Sequence, residues 1–403
     1  MVPGSIPVST SKINRRLKRT IHKYTFGIFE QVFGGVRNSP YRPEDFFDLF
    51  ITAAKNREDG MANEASKVLN LRARKQGLRA RYWRGRRIRS DGTYSDSADF
   101  ASDKHCPSSK TLLTRIKKGF EICEGTLVTR FNKHRQRINA LDRENTKILE
   151  RAKESIRPLS SLTGVAVALD FHDQDFYGQP NADVTIGYGK NTKLVYRFCS
   201  SRVLSENGEF CTRPLLTSST TQAIEESHRE YQQLGINDKT YLGDRGFCGV
   251  KEIKTFQRLH LDYLTPVHSG KLDKSTYERI QNAAREDHVT MFPYSMGKTL
   301  KEPARTFIVV VPFALQYHTA KKNTKHTKRR DAMVFSTSLK PETNKPEDVD
   351  SFGTVLSRIY RLRFGIETDW ALLKSFRPLT TSPDGIVRLF YFYMGIILYN
   401  IWF

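Results

Sequence analysis

Short apolar runs recur through the second half of the chain, and their spacing predicts alternating strands and helices. A short apolar run between turn residues is typical of a strand, whereas apolar residues three or four apart indicate a helix. The predicted strands are 165–169, 184–188, 194–203, 239–244 and 261–264, and the predicted helices are 221–234 and 250–259. Gly235 follows the first of these helices, where a glycine commonly ends one. The order is that of a mixed α/β domain.

A longer segment, 265–348, follows this region and is too long to be a simple loop. Two apolar stretches within it, 306–312 and 332–337, predict strands, and a basic block at 321–330 lies between them. We therefore expect a β-rich insertion. The basic block is either a contact for a polyanion or a solvated hairpin tip. After the insertion, residues 349–374 predict a helix.

Residues 1–150 predict a helical and basic region. Pro43 opens an amphipathic helix with acidic residues in its first turn, and a helical pattern continues to about residue 90. Ser, Asp and Gly are frequent in 90–107, which predicts a linker. The helices predicted at 108–120 and 126–149 either form a helix-turn-helix or pack together and contact backbone phosphates.

The longest apolar run is 389–403 at the C-terminal end. It is shorter than the ~20 residues that cross a bilayer, so we expect a buried helix that closes one face of the sheet. Residues 161–403 would then form one catalytic domain that 265–348 interrupts. No membrane partner is expected.

The charge indicates a polyanion partner. Lys and Arg number 66 against 43 Asp and Glu, which gives a net charge of +23. Arg84, Arg86 and Arg87 belong to a dense basic block next to Tyr82 and Trp83, which is typical of phosphate-backbone contact or of a basic arm without specificity. Five cysteines without a CxxC pair argue against a zinc site and a disulfide framework, so a reducing cytoplasm is expected.

Two aspartates stand where apolar runs end. Asp170 follows the first strand, and the second short strand, which begins at Lys239, ends in Asp244. Functional groups gather at such strand ends in open α/β sheets, although an aspartate there is also a common turn former. Asp173 and Asp175 are alternatives to Asp170 as the first functional carboxylate. Arg245 is positioned either to bind a phosphate or to form an ion pair within the site.

A helix at 360–374 gathers four chemically potent residues on one narrow stripe: Tyr360, Arg363, Glu367 and Lys374. This polar stripe combines one carboxylate with two cations and a phenol, which favours a metal ligand flanked by phosphate contacts. The alternative is a solvated helix face with an ion pair between Arg363 and Glu367. With Asp170 and Asp244, Glu367 completes a three-carboxylate set of the kind that binds Mg²⁺.

The polar stripe resembles the Y-(2)-R-(3)-E-(6)-K signature of one large group of insertion-sequence DDE transposases, a resemblance that covers residues 160–403. Asp170 and Asp244 look like the first two acidic residues of that group. The resemblance implies a ribonuclease-H-like mixed sheet flanked by helices, which agrees with the strand order predicted above. It also implies that Asp170, Asp244 and Glu367 hold Mg²⁺, with Mn²⁺ as a substitute and two ions in the site.

The resemblance further implies double-stranded DNA partners, namely the terminal inverted repeats of a transposable element and a target. The phosphates of the element ends would contact Tyr360, Arg363 and Lys374. A dimer on paired ends and a prokaryotic, nucleoid-associated location are expected on the same ground. Two other functions stay open: a catalytically inactive, domesticated DNA-binding protein, and a ribonuclease-H-type nuclease that acts on RNA or hybrids.

Overall fold

The computed structural model describes residues 27, 43–55, 69, 81–84, 87–88, 94–95, 99–102, 141–160, 163–178, 184–187, 193–205, 208–237, 239–267, 272–297, 300–313, 332–363 and 385–402. The chain divides into two compact units. One comprises Met1–Ile148 with Ala371–Phe403, and the other comprises Leu149–Trp370. The second unit contains Asp170 and Asp244, so its fold positions the candidate site.

The elements with defined bounds follow one another in this order: α1 Pro43–Lys55, β1 Arg81–Arg84, β2 Arg87–Ile88, β3 Tyr94–Ser95, β4 Asp99–Ser102, β5 Val165–Asp175, β6 Thr185–Ile186, β7 Leu194–Ser205, β8 Gly208–Cys211, β9 Leu215–Leu216, α2 Thr220–Gln233, β10 Lys239–Leu242, a 3₁₀ turn Arg245–Phe247, α3 Val250–Arg258, β11 Asp262–Pro266, α4 Lys274–Ala283, β12 Thr290–Met296, β13 Ala304–Pro312, β14 Ala332–Thr337, α5 Pro346–Arg363 and α6 Gly385–Trp402.

A ten-stranded mixed sheet is built from the strands of Leu149–Trp370. Its order is β12-β13-β14-β11-β10-β5-β7-β6, and β8 and β9 also pair with β7. β5, β10 and β11 run parallel, whereas β7 is antiparallel to β5. An antiparallel hairpin beside β5 followed by parallel strands on its other side is a ribonuclease-H-like arrangement. The predicted fold class is therefore confirmed.

The insertion extends this sheet instead of forming a separate body. β14 pairs antiparallel with β11, β13 pairs with β14, and β12 forms the edge. The sequence analysis predicts β13 and β14 but misses α4 and β12. Pro293 lies within β12, and proline is tolerated there because an edge strand has unpaired backbone donors on its outer side. The basic block at 321–330 lies outside the described residues.

The two faces of the sheet differ in character. The rear face carries Val167, Leu169 and Tyr241, and α2 and α3 cover it. Ile224 and Phe256 from these helices are fully buried in that apolar core. Gly235 has a φ of +70° directly after α2, which confirms the expected glycine stop. The front face carries Ala168, Asp170 and Leu242, because side chains alternate along a strand.

Helix α5 packs on the front face of the extended sheet. The ring of Tyr360 lies 5.1 Å from that of Phe335 on β14. Asp350 accepts a hydrogen bond of 2.5 Å from the backbone N–H of Val289, at the start of β12. The inserted strands therefore form the surface on which α5 packs, and this packing fixes the orientation of Tyr360.

Gly353 allows α5 to approach the inserted strands closely. A Cβ atom added there would lie 2.6 Å from Cγ1 of Val289, inside van der Waals contact. We expect Gly353→Ala to lower the free energy of unfolding by about 1–3 kcal/mol through overpacking, although alanine is the better helix former. Urea denaturation would measure the loss. Adding Val289→Ala removes the two carbons that lie closest to the added Cβ, and the double variant should recover most of the lost free energy of unfolding. If it recovers none, the loss does not arise from contact with Val289.

Helices α1 and α6 belong to the other unit. Phe50 of α1 makes edge contacts with Phe390 and Tyr391 of α6, at centroid distances of 5.9 and 5.4 Å. Residues 141–153 are helical, and Asn400 donates to Asn145 at 2.8 Å. The predicted helices at Pro43 and in the apolar C-terminal run are thus present. Among the described helices, none combines the length and apolarity needed to cross a membrane.

Residues 81–102 differ from the expectation of a helix followed by a linker. β1 pairs antiparallel with β4, and β2 pairs with β3. Tyr82, Trp83 and Ile88 are aromatic or β-branched, and such residues favour strands when the local alternation permits.

Candidate active site

Asp170 lies on β5, and Asp244 lies two residues beyond the end of β10, the parallel neighbour of β5. Leu242 of β10 is in register with Ala168 of β5. Asp170 and Asp244 each follow this last register pair by two residues, so both lie at the end of the β5–β10 pairing. Both residues are half-buried. The sheet thus brings together two carboxylates that are 74 residues apart in the sequence.

A tight turn fixes the backbone around Asp244. Its Oδ1 accepts a 2.7 Å hydrogen bond from the N–H of Gly246 and so caps the 3₁₀ turn. Phe247, which is fully buried, folds back so far that a Cβ on Gly243 would lie 2.6 Å from its own Cβ. The Gly-Asp-Arg-Gly-Phe run therefore has glycines where the close approach requires them.

Of the three aspartates on β5, only Asp170 belongs to the front face. Asp173 and Asp175 alternate onto the rear face, and each has a cation. Arg197 binds Asp173 through two hydrogen bonds of 2.7 and 2.8 Å, and Lys193 lies 3.4 Å from Asp175. Strand alternation therefore separates Asp170 from the two alternatives that the sequence left open.

The prediction that Asp170 ends its strand is wrong. β5 continues through Asp175, because β7 goes on pairing with it as far as Val195. The apolar run ends at Leu169, but the strand does not. What ends near Asp170 is the partner on the other side, since the pairing with β10 stops at Ala168 and Leu242. Asp170 therefore lies two residues beyond the last residue of β5 that pairs with β10.

Tyr360 and Arg363 stand together on α5, as their spacing predicts. Nε of Arg363 donates a 3.2 Å hydrogen bond to the hydroxyl of Tyr360, and its guanidinium lies 5.3 Å from the ring centroid. Both side chains are buried, with 4% of Tyr360 and 8% of Arg363 exposed. A solvated face is therefore excluded for this half of the polar stripe.

The electrostatics connect these residues into one site. Burial raises the pKa of Tyr360, Arg363 lowers it, and the charges of Asp244 and Asp170 raise it further. The net pKa lies above the ordinary value, so the phenol keeps its proton at neutral pH and acts as a donor. Burial and the same two carboxylates also raise the pKa of Cys199, which stays a thiol. Two acids, a phenol and a guanidinium thus share one electrostatic environment.

The donor set suits a hard divalent cation. Carboxylate oxygens are the preferred ligands of Mg²⁺, and Asp170 and Asp244 each supply one carboxylate here. No group of three His, Cys, Asp or Glu side chains forms a metal cluster within the described residues. Glu367 and Lys374, the remaining members of the polar stripe, lie outside those residues.

The other predicted DNA contacts are distributed differently. Arg245 is exposed and directly follows Asp244. Arg84 and Arg87 lie on β1 and β2, while Arg86 lies outside the described residues. The sequence analysis missed the residues that β7 brings to the front face, Ser200 and Arg202. Polar residues alternating within a buried strand are the signal that could have identified them.

A cavity lies away from Asp170 and Asp244. It has a volume of about 800 Å³ and is lined by residues of α3, α4 and β11–β14, among them Tyr263, Arg279 and Phe292. Arg279 stacks on Phe292, with 4.0 Å from its guanidinium carbon to the ring centroid. None of the candidate site residues lines this cavity.

Comparison with known proteins gives one family match. Residues 217–401 match the family model described as "Transposase DDE domain", a range that includes Asp244 and the whole polar stripe but not Asp170. No curated protein sequence matches the chain. A solved structure described as a cryo-EM structure of the piggyBac transposase synaptic complex with hairpin DNA is similar over 96% of this chain and 71% of that chain, with a TM-score of 0.48 and 12% identity.

Proposed function

We propose, from the match of residues 217–401 to the transposase DDE domain, that the chain is a transposase that cuts the ends of a DNA element and joins them to target DNA. The observation that supports the chemistry is that Asp170 lies on β5 and Asp244 lies just beyond β10, the parallel strand that pairs with β5. The net charge of +23 supports a DNA partner.

Asp170, Asp244 and Glu367 are the proposed ligands of two Mg²⁺ ions, for which Mn²⁺ would substitute. Such ions, when bound, supply activation of the attacking oxygen and stabilisation of the leaving oxygen at phosphorus. The task of the chain is to hold the carboxylates in place. The Gly246 N–H and the strand pairing of β5 perform it for the two aspartates.

Tyr360 and Arg363 are proposed to contact the phosphates of the element ends, together with Lys374 and the exposed Arg245. A guanidinium offers a forked donor for phosphate oxygens, and a protonated phenol offers a neutral one. The hydrogen bond between Arg363 and Tyr360 links these two donors on α5. In-line attack then needs only positioning and neutralisation of charge, without a covalent protein nucleophile.

Arg84, Arg86 and Arg87 are proposed to bind the DNA backbone away from the cleaved bond. The proposed substrates are the terminal inverted repeats of the element and a target duplex, and the proposed reacting form is a dimer on paired ends. A reducing compartment is proposed from the five cysteines without a CxxC pair.

The test is cleavage of a labelled duplex that carries the terminal inverted repeat of the host element, with and without Mg²⁺, by the wild-type chain and by Asp244→Asn. We expect metal-dependent cutting at the end of the repeat that is lost in the variant. Binding without cutting in both proteins would indicate a DNA-binding derivative of a transposase. Preferential cutting of an RNA–DNA hybrid in a parallel assay would indicate a ribonuclease-H-type nuclease instead.

A further inference from the structure

The strand next to Asp170 carries a serine directly opposite it. β7 runs antiparallel to β5, and Ser200 is the register partner of Asp170. Paired residues of antiparallel strands point to the same face, with Cβ atoms about 4.5–5.5 Å apart. Ser200 therefore lies on the front face, beside the carboxylate and within reach of the space in front of it.

The hydroxyl of Ser200 is buried without a partner. Only 4% of the residue is exposed, and within the described part of the chain its Oγ makes no hydrogen bond. Burying a hydroxyl without a hydrogen bond is unfavourable, and native proteins keep few such groups. A buried hydroxyl of this kind beside a carboxylate is placed to donate a hydrogen bond to it.

The neighbouring serine provides an internal comparison. Ser201 is also buried, with 2% exposed, but alternation puts it on the rear face. Its hydroxyl is hydrogen-bonded to that of Thr212 on the adjacent segment. The same residue type in the same strand is thus satisfied on the structural face and unsatisfied on the face of the candidate site.

We propose that Ser200 is a positioning residue for the metal-binding carboxylate of Asp170. Oδ1 of Asp170 accepts a 2.9 Å hydrogen bond from the N–H of Phe171, which holds the carboxylate close to its own backbone. Turning the carboxylate towards a cation brings one oxygen towards β7, where Ser200 donates its hydrogen to it. The hydroxyl then orients the ligand and stabilises its ionised form, as outer-sphere donors do in metal sites. This inference rests on the proposed metal-dependent function.

The test is titration of the full-length chain with Mn²⁺ alone, following free Mn²⁺ by electron paramagnetic resonance. Binding that is lost in Asp244→Asn defines the site. We expect Ser200→Ala to weaken that binding by about tenfold to a hundredfold. We also expect its thermal midpoint without metal to stay unchanged or rise, because the substitution removes a buried unsatisfied hydroxyl. Ser201→Ala should do the opposite, with a lower midpoint and unchanged Mn²⁺ affinity.

Three outcomes contradict the inference in distinguishable ways. Equal Mn²⁺ affinity in Ser200→Ala and wild type would overturn the role of Ser200 and leave the metal site standing. A fall in both the midpoint and the affinity of Ser200→Ala would make the hydroxyl structural. If wild type binds no more Mn²⁺ than Asp244→Asn does, the metal site itself fails, and the proposed function fails with it.

Discussion

Asp170→Asn is expected to abolish metal-dependent strand cleavage while leaving the fold intact. Asp173→Asn is expected to keep strand cleavage while lowering the stability of the fold. Asparagine keeps the size of the side chain but removes the charge that a divalent ion requires. A loss of about a thousandfold in rate, or about 4 kcal/mol, is the expected effect at position 170. Asp173 lies three residues away on the other face, where it binds Arg197.

The loss expected for Asp173→Asn is in stability. The guanidinium of Arg197 is buried, with 4% of its side chain exposed, and loses the carboxylate that accepts its hydrogen bonds of 2.7 and 2.8 Å. Breaking one side of such a pair costs about 3 kcal/mol. Urea denaturation of both variants would measure this difference, and cleavage below the unfolding transition would measure the rate. If Asp173→Asn were folded and inactive, Asp173 would be the metal ligand.

The pattern on β5 shows what the sequence could and could not establish. The apolar run Val165–Leu169 predicts the strand, and its end predicts Asp170 as the functional acid. It does not predict that the strand continues, because residues 170–175 contain three acids and a histidine, which read as a turn. The pairing with β7 sustains the strand, and its register is a long-range property.

The signature helix shows a second limit of the same kind. The helical spacing places Tyr360 and Arg363 together, and the structure has them hydrogen-bonded on α5. The sequence leaves open whether this face is solvated. Burial of both residues depends on Phe335 and on the sheet extension beneath α5, which lie outside any local window. The sequence analysis also missed α4 and β12, the elements on the outer side of that extension.

Arg363→Lys is expected to reduce strand cleavage about a hundredfold, almost as much as Arg363→Met, although lysine keeps the positive charge. An arginine presents its donors in a fixed planar fork, and here its Nε donates to the Tyr360 hydroxyl. A lysine ammonium can reach one acceptor but cannot orient the phenol. Losing one oriented donor to the reacting phosphate costs about two to three orders of magnitude in rate.

The matched control for this prediction is Arg358→Lys on the same helix. Arg358 is exposed and should tolerate the exchange without a change in rate.

Tyr360→Phe isolates the other half of the pair, because it removes the acceptor of Arg363 while keeping the ring against Phe335. We expect Tyr360→Phe combined with Arg363→Lys to be little worse than Arg363→Lys alone, since both substitutions break the same hydrogen bond. If the losses in single-turnover cleavage were fully additive, the two residues would contact the DNA independently. If Arg363→Lys were fully active, a point charge at this position would be sufficient.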